Sequence, residues 1–340
     1  MQRSDLVETL FPDGVPTLWC PLITHYRADG SIDETRTAAH IRTLSPYVGG
    51  FLAPGSTGEG WDMSSDEVHQ LLALLTGIID TVKSRLLIGV LKTGRGEAAE
   101  AAQQIITALD LPRDLHNQYL HNFFGFTVTA PKGAELSQEE ISADLGDVLG
   151  LGYPTALYQL PQITENEILP RTARSLAESY PNFYLFKDTS GKDTVALSGE
   201  MPEDVYMLRG AEGNYAAQIT AAGGPYYGFL LSSANCFARQ LADIITLNEE
   251  GRTDRAAQLS AALNHTVEAA FQLAADLPFA NPFANANKMM DHFMAYGQDA
   301  YRADPPRVHS GDQLPAPLLE KVGSLLEDAD LLPARGYLQG

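Results

Sequence analysis

The stretch Gly50–Leu91, GFLAPGSTGEGWDMSSDEVHQLLALLTGIIDTVKSRLLIGVL, decides the fold. It opens with a short apolar run, Gly50–Pro54, and turns through a glycine-rich loop, Gly55–Gly60. From Asp66 to Thr81 apolar residues recur at i, i+3 and i+4, and a second apolar run, Leu86–Leu91, follows. The short runs suit buried strands, and the longer period suits a helix with one buried face. A strand reaching the next strand through a helix is a β/α unit, because parallel strands need a long crossover.

The same alternation runs outward in both directions. Further strands are expected at Pro16–Thr24, Phe124–Ala130, Thr155–Leu160, Phe183–Lys187, Asp204–Leu208 and Tyr227–Ser232, with helices such as Glu97–Leu109 and Gln138–Leu149 between strands. Eight units point to an α/β protein whose sheet closes into a (β/α)8 TIM barrel, rather than an open doubly wound sheet. Such a barrel takes about 250 residues, and the chain has 340. The strand signal stops after Asn235, so the expected division is a barrel over residues 1–235 and a C-terminal helical region over 236–340, interrupted by Asn281-Pro282 and Asp304-Pro305-Pro306. The irregular stretch Asp110–Phe124 falls between a helix and the fourth strand, on the barrel face away from an active site. Its histidines, His116 and His121, match no common metal-ligand spacing and read as structural or subunit-contact residues.

The formal net charge is −20, which argues against a nucleic-acid partner. No stretch reaches the ~20 apolar residues of a membrane span, and the first residues lack the apolar run of a secretory signal. Cys20 and Cys236, in expected strand or strand-end contexts, form no C-x-x-C pair and read as buried thiols of a cytoplasmic protein. A negatively charged chain that binds an anion must supply local cations or aligned N–H donors.

Lys187 ends the aromatic strand Phe183-Tyr184-Leu185-Phe186. Burial there would disfavour the ammonium and free an amine to attack a carbonyl. On this segment alone, a rim lysine paired with Asp188 is the stronger reading. Tyr158 ends the preceding expected strand, so its phenol can converge with Lys187 and move protons beside an imine; by itself it reads as core. The loop Gly55-Ser56-Thr57-Gly58-Glu59-Gly60 can present backbone N–H groups and two hydroxyls to an anion. It fits neither a dinucleotide-binding nor a phosphate-loop pattern, and a plain turn is its other reading. The seventh and eighth units, Leu208–Gly213 and Gly228–Asn235, set small and polar residues at strand ends.

Taken in order, GSTGE at 55–59, Tyr158–Pro161, KDTSG at 187–191, the segment 228–235, and Asn281-Pro282 followed by Lys288 resemble the dihydrodipicolinate synthase/N-acetylneuraminate lyase family of class I aldolases. The resemblance covers roughly residues 16 to 300, with Tyr158 and Lys187 separated by 29 positions. It implies a barrel with C-terminal helices, a homo-oligomer (tetramer or dimer), and no metal or organic cofactor. It also implies roles: Lys187 as the Schiff-base lysine, Tyr158 in proton transfer, Ser56 and Thr57 on the carboxylate of a 2-oxo acid, and Thr57 orienting Tyr158. By the same likeness Thr189, Gly210, Glu212 and Ser232 hold the polar chain of a hydroxylated substrate.

Departures narrow the subgroup. Ile163 stands where dihydrodipicolinate synthases carry a substrate-binding arginine, and Ala130-Pro131-Lys132-Gly133 lacks their tyrosine. Gly213 stands where some sialic-acid lyases have a second carboxylate. The expectation is a lyase, by aldol cleavage or dehydration, acting on pyruvate or a 2-keto-3-deoxy sugar acid. The alternatives are a dihydrodipicolinate synthase and a non-catalytic 2-oxo acid sensor.

Overall fold

The computed structural model describes residues 2–339. Eight parallel strands close in chain order: β1 (Leu18–Pro21), β2 (Gly50–Ala53), β3 (Leu86–Val90), β4 (Phe123–Thr129), β5 (Thr155–Gln159), β6 (Phe183–Asp188), β7 (Tyr206–Arg209) and β8 (Gly228–Leu230), with β8 pairing back onto β1. The fold is the expected (β/α)8 TIM barrel. Helices such as Ser65–Val82, Glu97–Ala108, Gln138–Leu149 and Pro170–Ser179 lie between the strands. Ser64 and Ser137 begin two of these helices by accepting from the N–H of Glu67 and Glu140, whose carboxylates bond back, so each first turn is capped from both sides.

Side-chain alternation sorts the core into two parts. Phe51, Ile88, Phe126, Val128, Leu157 and Phe186 pack between sheet and helices. Trp19, Leu52, Leu87, Ala156, Leu185, Leu208 and Leu230 fill the barrel interior. A helix unread in the sequence, Arg3–Leu10, closes the bottom by burying Leu6, Leu10 and Phe11 against this interior layer. Each large apolar side chain so buried contributes about 1.5–3 kcal/mol. Arg3 fixes that helix, donating from Nε to the Phe183 carbonyl at 2.6 Å and from a terminal nitrogen to Asp204 at 2.6 Å. The stretch expected to be irregular contains a short helix, Leu115–Leu120, packed on Arg3–Leu10, and His121 Nδ1 bonds the Asn117 carbonyl.

Beyond β8 lie the helices Ala234–Glu249, Thr253–Ala274, Pro282–Tyr296 and Ala316–Asp328. Ala234–Glu249 packs on β1, and Pro282–Tyr296 packs on the turn that follows β2. Cys236 therefore sits on a helix and not at a strand end, because the chain turns at Ser233 directly after β8. Both cysteines are free thiols, pushed well above the usual range by burial. Among the described residues no helix is long and apolar enough to cross a membrane.

Candidate active site

Lys187 and Tyr158 are register partners on β6 and β5, and each is about 95% buried or more. Register partners on neighbouring strands face the same way, here into the barrel mouth. The Lys187 Nζ lies 4.0 Å from the centre of the Tyr158 ring. The alternative pairing of Lys187 with Asp188 does not occur. Asp188 points to the other face, where its Oδ1 accepts the Ser190 N–H at 2.9 Å, and burial raises its carboxyl above the usual range. The amine thus has an aromatic face beside it and no carboxylate bonded to it among the described residues.

The loop after β2 is a 3₁₀ turn, Ser56–Gly58, with Ser56 and Thr57 both buried. It is held from four directions. Trp61 Nε1 donates to Ser56 Oγ at 2.8 Å, and Asn281 Nδ2 to the Ser56 carbonyl at 2.9 Å. Thr24 Oγ1 donates to the Gly58 carbonyl at 2.9 Å. Glu59, fully buried, forms an ion pair with Lys288 and accepts the His309 N–H at 2.7 Å. The Lys288 Nζ also donates to the Arg307 carbonyl at 2.9 Å and lies 4.6 Å from the centre of the Tyr26 ring. Burial lowers the Lys288 ammonium below its usual range, and Glu59 opposes that shift. Thr57 and Tyr158 are not hydrogen-bonded to each other among the described residues.

The β7–β8 side differs from the expectation in one respect. Glu212 lies at the mouth, but both its oxygens are engaged. Oε1 accepts from Ser232 Oγ at 2.7 Å and the Ser233 N–H at 3.0 Å, and Oε2 from Ser233 Oγ at 2.7 Å and the Tyr215 hydroxyl at 3.0 Å. A carboxylate offers about four acceptor positions, so Glu212 is filled by its own protein. Gly210 contributes space: a Cβ there would stand 2.3 Å from Thr189 Oγ1 and 2.9 Å from Lys187 Cε. Gly213 has φ +90°, and a Cβ would stand 2.4 Å from Asn264 Oδ1, so an acid at that position would be strained.

Sequence reasoning did not tie Glu59 to Lys288, although it noted both segments, nor did it mark His309 or Thr129. It also missed a buried knot of His25, His40 and Asp291, residue types that can hold a metal. Here Asp291 accepts from Arg36 at 2.7 Å and from the Tyr337 hydroxyl at 3.0 Å, while His40 Nε2 bonds the Asn235 carbonyl at 2.8 Å and His25 Nε2 meets His40 Nδ1 at 3.3 Å. A divalent cation would have to sit beside the Arg36 guanidinium, so the cluster is a hydrogen-bonded knot. Asn235 ties it to β1: its side chain accepts the Ile23 N–H at 3.0 Å and donates to the Pro21 carbonyl at 2.8 Å.

Comparison with known proteins agrees with the fold. Residues 125–295 match the profile of the Dihydrodipicolinate synthetase family. The 4-hydroxy-tetrahydrodipicolinate synthase of Thermosynechococcus vestitus is 24% identical over 264 residues, which cover 76% of this chain and 82% of that protein. Among solved structures, a prophage protein of the dihydrodipicolinic acid synthase family from E. coli K12, in complex with pyruvate, superposes with a TM-score of 0.71 at 21% identity, covering 93% of this chain and 99% of that one. A variant of the Sulfolobus solfataricus 2-keto-3-deoxygluconate aldolase superposes with a TM-score of 0.69 at 17% identity, over 93% and 96% of the two chains. At these identities the structural likeness speaks for the fold alone. Because the family profile covers half of the sequence and the closed barrel accompanies it, the chain belongs to the dihydrodipicolinate synthetase family.

Proposed function

We propose that this chain is a Schiff-base lyase acting on a hydroxylated 2-oxo acid, with Lys187 as the nucleophile. The observation that carries the reading is the buried amine 4.0 Å from the centre of the Tyr158 ring, with no carboxylate bonded to it among the described residues. The lysine attacks C2 of the 2-oxo acid, and loss of water from the carbinolamine leaves a protonated imine. Tyr158 delivers the proton that departs with that water. The imine then accepts the electron pair released at C3. When the C4 hydroxyl loses its proton and the C3–C4 bond breaks, the products are an aldehyde and the enamine of pyruvate. When a C3 proton is removed and hydroxide leaves from C4, the product is a dehydrated 2-oxo acid. Protonation of the enamine and addition of water regenerate the amine. Ser56 and Thr57, on the braced turn after β2, are suited to the substrate carboxylate. The imine supplies the electron sink itself, so this sequence calls for no metal or organic cofactor.

A second reading, condensation of pyruvate with aspartate semialdehyde, has the names of the curated relatives in its favour. Against it stand Ile163, half-buried on the short helix Pro161–Thr164, and Lys132, which pairs with Glu165 at 2.9 Å in the segment without a tyrosine. Neither supplies the arginine or the phenol that the resemblance requires. Assembly into a homo-oligomer is part of the same proposal.

Borohydride reduction in the presence of pyruvate tests the lyase reading. The expected result is a permanent three-carbon adduct on the peptide containing Lys187, lost in Lys187→Ala together with turnover of a panel of 2-keto-3-deoxy sugar acids. Saturable binding of such acids with neither adduct nor turnover would instead mark the chain as a sensor.

A further inference from the structure

The barrel mouth is satisfied on one side and unsatisfied on the other. Toward β7 and β8, Glu212 consumes the hydroxyls of Ser232, Ser233 and Tyr215 in an internal network. Toward β4 and β6, three buried threonines, Thr127, Thr129 and Thr189, carry hydroxyls with no hydrogen-bond partner among the described residues. Their exposures are 0%, 1% and 6%. Protein interiors leave few such groups, because a desolvated hydroxyl without a partner is costly. Thr127 lies one layer down, in register with Ala156 and Leu185, whereas Thr129 and Thr189 leave two hydroxyls near Lys187 that a bound molecule can satisfy.

Their directions follow from the sheet. Phe126, Val128 and Ala130 pack outward against the helices, so alternation turns Thr127 and Thr129 inward. Thr129 is the register partner of Tyr158, and Tyr158 that of Lys187, which puts the three in one layer across adjacent strands. The Lys187 amine leans from β6 over the Tyr158 ring on β5, the direction in which β4 lies. Thr189 Oγ1 sits on the other flank, beside the Lys187 Cε at the gap left by Gly210.

Resting on the lyase reading above, we propose that Thr129 determines specificity: its hydroxyl binds a hydroxyl group that the substrate carries beyond C3, alongside Thr189, to which the family resemblance already gives that role. The tail of the 2-oxo acid then runs along the β4–β6 side of the mouth and not toward Glu212. The ligand chemistry follows from the partners. A threonine hydroxyl both donates and accepts, which matches a neutral hydroxyl that does the same. An apolar tail would leave these groups unpaired.

The test compares Thr129→Val, which keeps the shape and removes the hydroxyl, with Thr129→Ser, which keeps the hydroxyl. Borohydride-trapped label on Lys187 is measured against the concentration of pyruvate and of 2-keto-3-deoxygluconate. The valine variant should raise the half-saturating concentration of the six-carbon acid relative to that of pyruvate by roughly three- to ten-fold, the loss of one neutral hydrogen bond. The serine variant should return the ratio to within about two-fold of the unaltered protein. Without ligand, the valine variant should melt no lower than the unaltered protein, since no protein partner is lost. An unchanged ratio in a protein that labels with both acids sinks this proposal alone, as does a lowered melting temperature with both acids weakened together. Absence of label with either acid in the unaltered protein sinks the lyase reading, and this one with it.

Discussion

Gly210 holds open the space beside the Lys187 side chain. A methyl group there would press on Thr189 Oγ1 at 2.3 Å, on Lys187 Cε at 2.9 Å and on the Asp188 carbonyl at 3.2 Å. The first two are movable side-chain atoms, so Gly210→Ala should fold, with the strain passed to the lysine. Misplacing a nucleophile by about 1 Å can cost up to 10²-fold in rate. The variant is expected to form the pyruvate adduct about 10- to 100-fold more slowly, read from borohydride trapping over time, while its urea midpoint stays close to that of the unaltered protein. An unchanged trapping rate would show that the amine does not work from its observed position. At this scale the segments of Lys187 and Tyr158 each read as an ordinary rim or core residue, and only the ordered set of motifs singled the two out; their being register partners on β6 and β5 follows from the ends of two neighbouring strands. Glu212 was legible as a mouth residue but not as a filled one, since its donors come from Tyr215, Ser232 and Ser233, brought together by two different strand ends. Thr129 was not legible at all: in Thr127-Val128-Thr129 it reads as an ordinary alternating strand residue, and its hydroxyl is left without a partner only by how the neighbouring strands pack.

The helix Pro282–Tyr296 and the turn Ser56–Gly58 stand more than 220 positions apart in the chain, yet one buried charge pair joins them. Lys288 on the helix and Glu59 after the turn have side-chain exposures of 2% and 0%. Removing one partner of such a pair leaves the other charge desolvated, which costs about 3–5 kcal/mol. Lys288→Met should therefore lower the stability measured by urea unfolding at pH 7 by about that amount. It should also weaken pyruvate binding, because the turn carrying Ser56 and Thr57 loses its brace. Replacing both members, Lys288→Met with Glu59→Leu, should recover part of the stability. A single variant as stable as the unaltered protein would mean that the pair is solvated in solution. The strands and most barrel helices were visible as periodicity, but this brace was not, because periodicity carries no information on which helix meets which loop. The bottom-closing helix Arg3–Leu10 escaped for a related reason. Its one buried charge, Arg3, looks like a surface residue until the Phe183 and Ala177 carbonyls and Asp204 receive it.

For the whole molecule, a net charge of −20 and a set of buried histidines respond to solution conditions in ways that can be separated. Mutual repulsion among surface carboxylates opposes the compact state and is screened by salt. Added sodium chloride should therefore raise the melting temperature at pH 7.5. Carboxylates ordinarily titrate near pH 4, so the interval from pH 7.5 to 5.5 leaves most of that surface charge in place. In the same interval, burial holds His25, His40 and His292 below the ordinary histidine value of 6.5. As the pH falls through 6.5 the unfolded chain takes up protons that the native knot refuses, so the unfolded state is favoured and stability declines with acidification. Asp188, raised by burial, acts in the opposite sense: its native form keeps a proton that the unfolded form releases, which favours the folded state at lower pH. The histidine contribution is isolated by difference. In high salt, the melting temperature of the unaltered protein should drop between pH 7 and 5.5, and His40→Gln should drop less over that range. Parallel profiles for the two proteins would mean that His40 takes up its proton equally in the native and unfolded states, beside an Asp291 already ion-paired with Arg36.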